Sequence, residues 1–105
     1  MAYVLNRYVN RQEVDAAVER AAESLAPDVV RIRYSLDDDW TGEPSIFFRV
    51  LISDEAASRA DLSELAERVA FILRKQVKTD ELGIHAYFDY RSLSEQAELN
   101  EPAWA

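Results

Sequence analysis

Val29-Val30-Arg31-Ile32-Arg33-Tyr34-Ser35-Leu36 and Ile46-Phe47-Phe48-Arg49-Val50-Leu51-Ile52 hold the densest apolar content of the sequence. Between them lies Asp37-Asp38-Asp39-Trp40-Thr41-Gly42-Glu43-Pro44-Ser45. The two outer runs are rich in β-branched and aromatic residues and are separated by turn-forming Asp, Gly and Pro, which predicts two strands. Side chains alternate across a strand. Val30, Ile32, Tyr34 and Leu36 therefore share a face, as do Ile46, Phe48, Val50 and Ile52. Opposite them lie Val29, Arg31, Arg33 and Ser35, and on the second strand Phe47, Arg49 and Leu51. The connection is too long for a two-residue turn. An antiparallel hairpin is expected, with its register open.

Helical patterns flank the hairpin. Asn10 followed by Glu13 resembles a capping box. Val14, Ala17, Val18, Ala21 and Leu25 then recur at helical spacing until Pro27 stops the ladder. After the hairpin, Leu62, Leu65, Ala66, Val69, Ile72, Leu73 and Val77 form a second stripe. Either one helix runs over 54–77, or a short turn precedes a helix from residue 61. Ile84, Ala86, Phe88 and Tyr90 give a third strand, with His85, Tyr87 and Asp89 on its other side. Ser92 or Ser94 can cap a short last helix, and Trp104 anchors a tail. The order αββαβ, with a short C-terminal helix or tail, predicts a two-layer α+β sandwich. A strand over 3–9 would make it βαββαβ, the ferredoxin-like order. Residues 1–9 lack β alternation, so the shorter order is preferred.

At 105 residues the chain is read as one domain, 1–105, with residues 1–9 and 100–105 as possible arms. A hydrophobic fraction of 49% with 30% charged residues is ordinary globular composition, which argues against wholesale disorder. No cysteine is present, which removes disulfides, thiol nucleophiles and thiolate metal sites. No run approaches the roughly 18 apolar residues of a membrane span. Residues 1–7 lack the apolar segment of a secretory signal. These features fit a cytoplasmic protein. A net charge of −8 repels nucleic acid and anionic membrane, and suits a basic protein partner.

Catalytic signatures are weak, and no catalytic residue, metal ligand or cofactor is assigned. His85 is the one histidine. It shares a strand face with Asp89 about 13 Å away at the backbone, too far for a direct bond. No Gly-x-Ser-x-Gly elbow or phosphate-cradling glycine loop occurs. Asp37-Asp38-Asp39 lacks the alternating ligand spacing of a calcium loop and reads as a solvated turn rather than a cation site. The stronger candidate is the second sheet face, where Arg31, Arg33 and Arg49 interleave with Phe47 and Tyr87. Arg and aromatic residues are typical protein anchors. The same combination stacks and clamps RNA in some open-sheet modules. The plainer possibility is that the C-terminal segment folds over this face or that local carboxylates pair with the arginines. Trp40 and Trp104 are either further anchors or ordinary packing. A non-catalytic protein-binding module is the favoured function, with the partner another protein or a second copy. RNA binding is the alternative.

The combination Tyr34-Ser35, Asp39-Trp40-Thr41-Gly42-Glu43-Pro44-Ser45-Ile46-Phe47-Phe48-Arg49-Val50, Tyr87-Phe88, Arg91-Ser92 and Ser94-Glu95-Gln96-Ala97-Glu98-Leu99 resembles a group of small uncharacterised bacterial proteins. The resemblance spans most of residues 11–105. It implies an antitoxin-like or accessory partner of HEPN-domain toxin proteins, and brings no functional residues with it.

Overall fold

The computed structural model describes residues 9–105. The possible arm over residues 1–9 and the alternative strand over 3–9 lie outside these except at Val9, which occupies a buried bend. The elements are α1 (Arg11–Leu25), β1 (Val29–Asp38), β2 (Pro44–Ile52), α2 (Asp54–Ser58), α3 (Leu62–Val77), α4 (Thr79–Leu82), β3 (His85–Ser92) and α5 (Leu93–Leu99). A 3-10 turn, Pro102–Trp104, follows. The architecture is α+β, with the αββαβ order elaborated by short helices.

Asn10 caps α1 by accepting from the Glu13 N–H at 3.2 Å, and the helix stops before Pro27. Two helices, not one, follow β2. Ser53 caps α2 through the Ala56 N–H, and Arg59 leaves the helical region at ψ 150° before α3 begins. α3 closes on Lys78, left-handed at φ 61°. Ser92 and Glu95 form a reciprocal capping box at the start of α5.

The strand order is β1-β2-β3. β1 and β2 pair antiparallel, whereas β2 and β3 pair parallel, so the sheet is mixed. Parallel neighbours need a crossover. The segment containing α3 supplies it, and β2 and β3 bond directly, leaving no place for a strand between them. β2 is thus the central strand. Ile46, Phe48, Val50 and Ile52 are each 3% exposed or less and face the helices. Val14, Ala17, Val18, Ala21 and Leu25 of α1 meet them with Leu65, Val69, Leu73 and Val77 of α3. Tyr34, Phe88 and Tyr90 seal the margins of this core. The Tyr34 hydroxyl donates to Asp15 at 2.6 Å, and burial together with that carboxylate pushes the phenol up to about 12.

One expected core position is corrected. Val30 is 44% exposed, whereas Val29 is buried. The pairing passes from Val29↔Ile52 to Arg31↔Leu51, so two steps on β1 match one on β2. That bulge inverts the alternation at the start of the strand and exchanges the two valines.

The layers make a sharp contrast between two phenylalanines. Phe48 is fully buried and Phe71, on the outer side of α3, is 61% exposed. Phe48→Ala is expected to cost about 3–5 kcal/mol, and Phe71→Ala to stay within about 0.5 kcal/mol of wild type. Urea unfolding of the two variants checks this; equal losses would mean the helical layer is placed wrongly.

Candidate protein-interaction surface

The register turns the second sheet face into cross-strand rows. Arg31 lies opposite Leu51, which lies opposite Arg91. Next come Arg33, Arg49 and Asp89, then Ser35, Phe47 and Tyr87. Asp37, Ser45 and His85 form the last row. The seven residues singled out from the sequence therefore assemble on one side of the molecule, but they divide into two groups.

The first row is covered by the chain's own tail, which reaches the second only through the two arginines, Arg33 and Asp89 there staying exposed. Leu51 is 1% exposed and Trp104 is 4% exposed, and neither belongs to the core beneath the helices. Arg31 Nη2 donates to the Trp104 carbonyl at 3.2 Å. Arg33 Nε donates to Ala105 O and Arg49 Nε to the Ala103 carbonyl, each at 3.0 Å. The arginines thus grip main-chain oxygens. Charged donors make such bonds stronger than neutral ones. Arg91 supplies the side-chain recognition. Its guanidinium lies 4.3 Å from the Trp104 ring centroid while Nη2 bonds Glu101 and Nη1 bonds Gln96, each at 3.0 Å. A cation over an indole face is attractive, most of all where water is excluded. Arg31, Arg33, Arg49 and Trp104 are engaged with one another, as the plainer reading of the sequence allowed.

The third row, half-buried and outside the tail's contacts, leads to an exposed hairpin tip. The Phe47 and Tyr87 rings stack at 5.2 Å with planes 18° apart, and Trp40 lies 5.1 Å from Tyr87 at 51°. Trp40 is 80% exposed, yet the turn that carries it is tightly made. Asp39, only 9% exposed, is the pin. Its Oδ1 accepts from the Thr41 N–H at 2.9 Å, the Thr41 hydroxyl at 2.6 Å and the Glu43 N–H at 3.0 Å. Its Oδ2 accepts from the Tyr87 hydroxyl at 2.7 Å. Gly42 takes φ 84°, a left-handed conformation that favours glycine. The tip is thereby tied to β3 across the sheet. The Thr41 hydroxyl, then Tyr87 and the two backbone amides, hold the Asp39 carboxyl far below the usual carboxylate range. The same bond raises the Tyr87 phenol.

Other candidates do not converge. His85 and Asp89 sit two rows apart, the first beside Ser45 and the second beside Arg49. Among the described residues no group of three His, Cys, Asp or Glu side chains is placed to hold a metal ion. Nor is any helix there long and apolar enough to cross a membrane. Sequence reasoning missed Asp39 and Arg91 as determinants of this face. The spacing Asp39-x-Thr41 signals an Asx-type turn. Arg91 carries no such signal, because its place beside Leu51 depends on the parallel register. Comparison with protein-family models, curated proteins and solved structures finds no match for the chain.

The Asp39 pin gives the acid limb of stability a defined sign. Its folded pKa lies below the ordinary 3.8. Its stabilising contribution is therefore present above the unfolded carboxyl range and is lost as the pH falls below it. Asp39→Asn removes that titration. The urea midpoint of wild type should exceed that of the variant near about pH 6, and the difference should shrink by about pH 2.5. A difference independent of pH would remove Asp39 as the titrating pin.

Proposed function

We propose that this chain is a non-catalytic protein-binding module whose contact surface is the open half of the second sheet face, built on Trp40, Tyr87 and Phe47. The carrying observation is the combination of an 80% exposed Trp40 with a turn fixed by Asp39. Aromatic anchors supply much of the energy of protein interfaces. Rigid presentation reduces the ordering cost that association must overcome. Acidic Asp37, Asp38, Glu43 and Asp89 neighbour this row in sequence or register, and the chain carries a net charge of −8. A partner with a basic rim around an apolar or cationic pocket complements it.

Within that reading, the finer role is antitoxin-like: binding and neutralising a basic, nuclease-like toxin in the cytoplasm. The resemblance to small uncharacterised bacterial proteins, which implies a partner of HEPN-domain proteins, supports this, and so does the charge. RNA binding is the weaker alternative. Aromatic rings are available for stacking, but Arg31, Arg33 and Arg49, which would meet phosphates, hold the carbonyls of residues 103–105 instead.

Co-expression with the product of the adjacent gene should yield a complex, and Trp40→Ala should weaken it by about thirtyfold, the size of a 2 kcal/mol hot spot. Phe71→Ala should leave the affinity unchanged. A complex indifferent to Trp40→Ala would move the interface elsewhere, and failure to form any complex with that product would remove the antitoxin-like role. Salt-dependent retention of an RNA oligonucleotide at about 50 mM salt would favour the alternative.

A further inference from the structure

Among the described residues, β1 bounds the sheet. Its one strand partner there is β2. Its other edge faces a groove of about 560 Å³ beside α1, floored by Val18, Ala22, Val30 and Tyr34. An unpaired edge exposes backbone donors and acceptors that template another strand, and edges are commonly blunted by Pro, Lys or short length. β1 is ten residues long and contains neither Pro nor Lys. Its bulge lies at the very start, between Val29 and Arg31, so the remainder runs regularly.

The charges along this edge are segregated. Arg31 and Arg33 occupy its first half, Asp37 and Asp38 its end. A strand patterned in this way complements itself when turned antiparallel. Parallel pairing in register would set each charge beside its own copy. Register follows from the same reasoning. A two-fold axis through Tyr34 places Arg31 opposite Asp37, Ile32 opposite Leu36 and Arg33 opposite Ser35 of the second copy. Moving the axis to residue 33 sets Arg33 against itself, and moving it to residue 35 shortens the overlap. Opposite charges directly across an antiparallel pair stabilise it, and like charges disfavour it.

We propose that a second copy of this chain occupies the β1 edge, antiparallel about Tyr34, with Asp37 of each copy facing Arg31 of the other. The isologous contact joins two three-stranded sheets into one continuous sheet. Both α1 helices lie on one side of it and both tails on the other. Each copy's Trp40 tip then points along the same face, at opposite ends of the paired strands. This pairing leaves Trp40, Tyr87 and Phe47 untouched, although it takes up Asp37, one of the acidic groups beside them, and it stands whether or not that surface binds a basic protein.

Sedimentation of the full chain at micromolar concentration tests the proposal. The expected species has twice the 12.0 kDa chain mass. Asp37→Arg, which puts arginine opposite Arg31, should raise the dimer dissociation constant by about tenfold or more. Arg31→Asp combined with Asp37→Arg should restore it, a rescue that a folding defect would not show. Circular dichroism confirms that each variant is folded. A wild-type monomer at every concentration overturns the proposal, as does a dimer insensitive to Asp37→Arg. Dimerisation that appears only after deletion of residues 1–8 also overturns it, since the chain's own N-terminal segment would then fill the edge.

Discussion

The structure depends on covering β2 from both sides. As the central strand it has neighbours along both edges, and its alternate side chains must be covered by different layers. Ile46, Phe48, Val50 and Ile52 meet α1 and α3, which is the ordinary solution for an α+β sheet. Leu51 points the other way and is equally buried. A slip of one residue in either ladder would exchange these sets and place Phe47 and Arg49 in the core. The antiparallel register to β1 and the parallel register to β3 are therefore fixed together by one hydrophobic requirement.

The tail meets the second half of that requirement with little apolar material. Trp104 is its one large apolar side chain, and three arginines on the sheet hold the surrounding main chain by its oxygens. This arrangement satisfies backbone acceptors near a chain end that would otherwise lose water on docking. It also means that the grip on residues 103–105 is largely indifferent to sequence, with Arg91 over Trp104 providing the selective contact. The consequence for function is a partition of the face. The guanidinium groups of Arg31, Arg33 and Arg49 are spent on the tail's carbonyls, and the row beyond them is aromatic with acidic neighbours. An Arg-rich open sheet would invite phosphate; an acidic rim around a held tryptophan suits a basic protein.

Much of the fold is legible in the sequence because it rests on local periodicity. The stripe from Val14 to Leu25, the stripe from Leu62 to Val77 and the alternation within Ile46 to Ile52 each specify an element and its buried side. Val30 shows where that logic stops. A bulge is a property of two strands, so one strand's alternation cannot reveal it. The break between α2 and α3 does not show in the periodicity; Ser53 makes a side-chain cap bond at the start of α2, whereas Asp61 makes none at the start of α3. The candidate surface was legible as a set of residue types, since Arg31, Arg33, Phe47, Arg49, Tyr87, Trp40 and Trp104 do share a side. Their division was not legible. It follows from long-range register and from a tail more than fifty residues away from Arg49 in sequence.

The central claim is that the second face has a closed half under Trp104 and an open half presenting Trp40. Acrylamide quenching of two single-tryptophan variants, Trp104→Phe and Trp40→Phe, separates the halves directly. The account predicts ready quenching of Trp40 in the first variant and strong protection of Trp104, with blue-shifted emission, in the second. Equal accessibility of the two indoles would contradict it, because the tail would then not be seated on Arg31, Arg33 and Arg49.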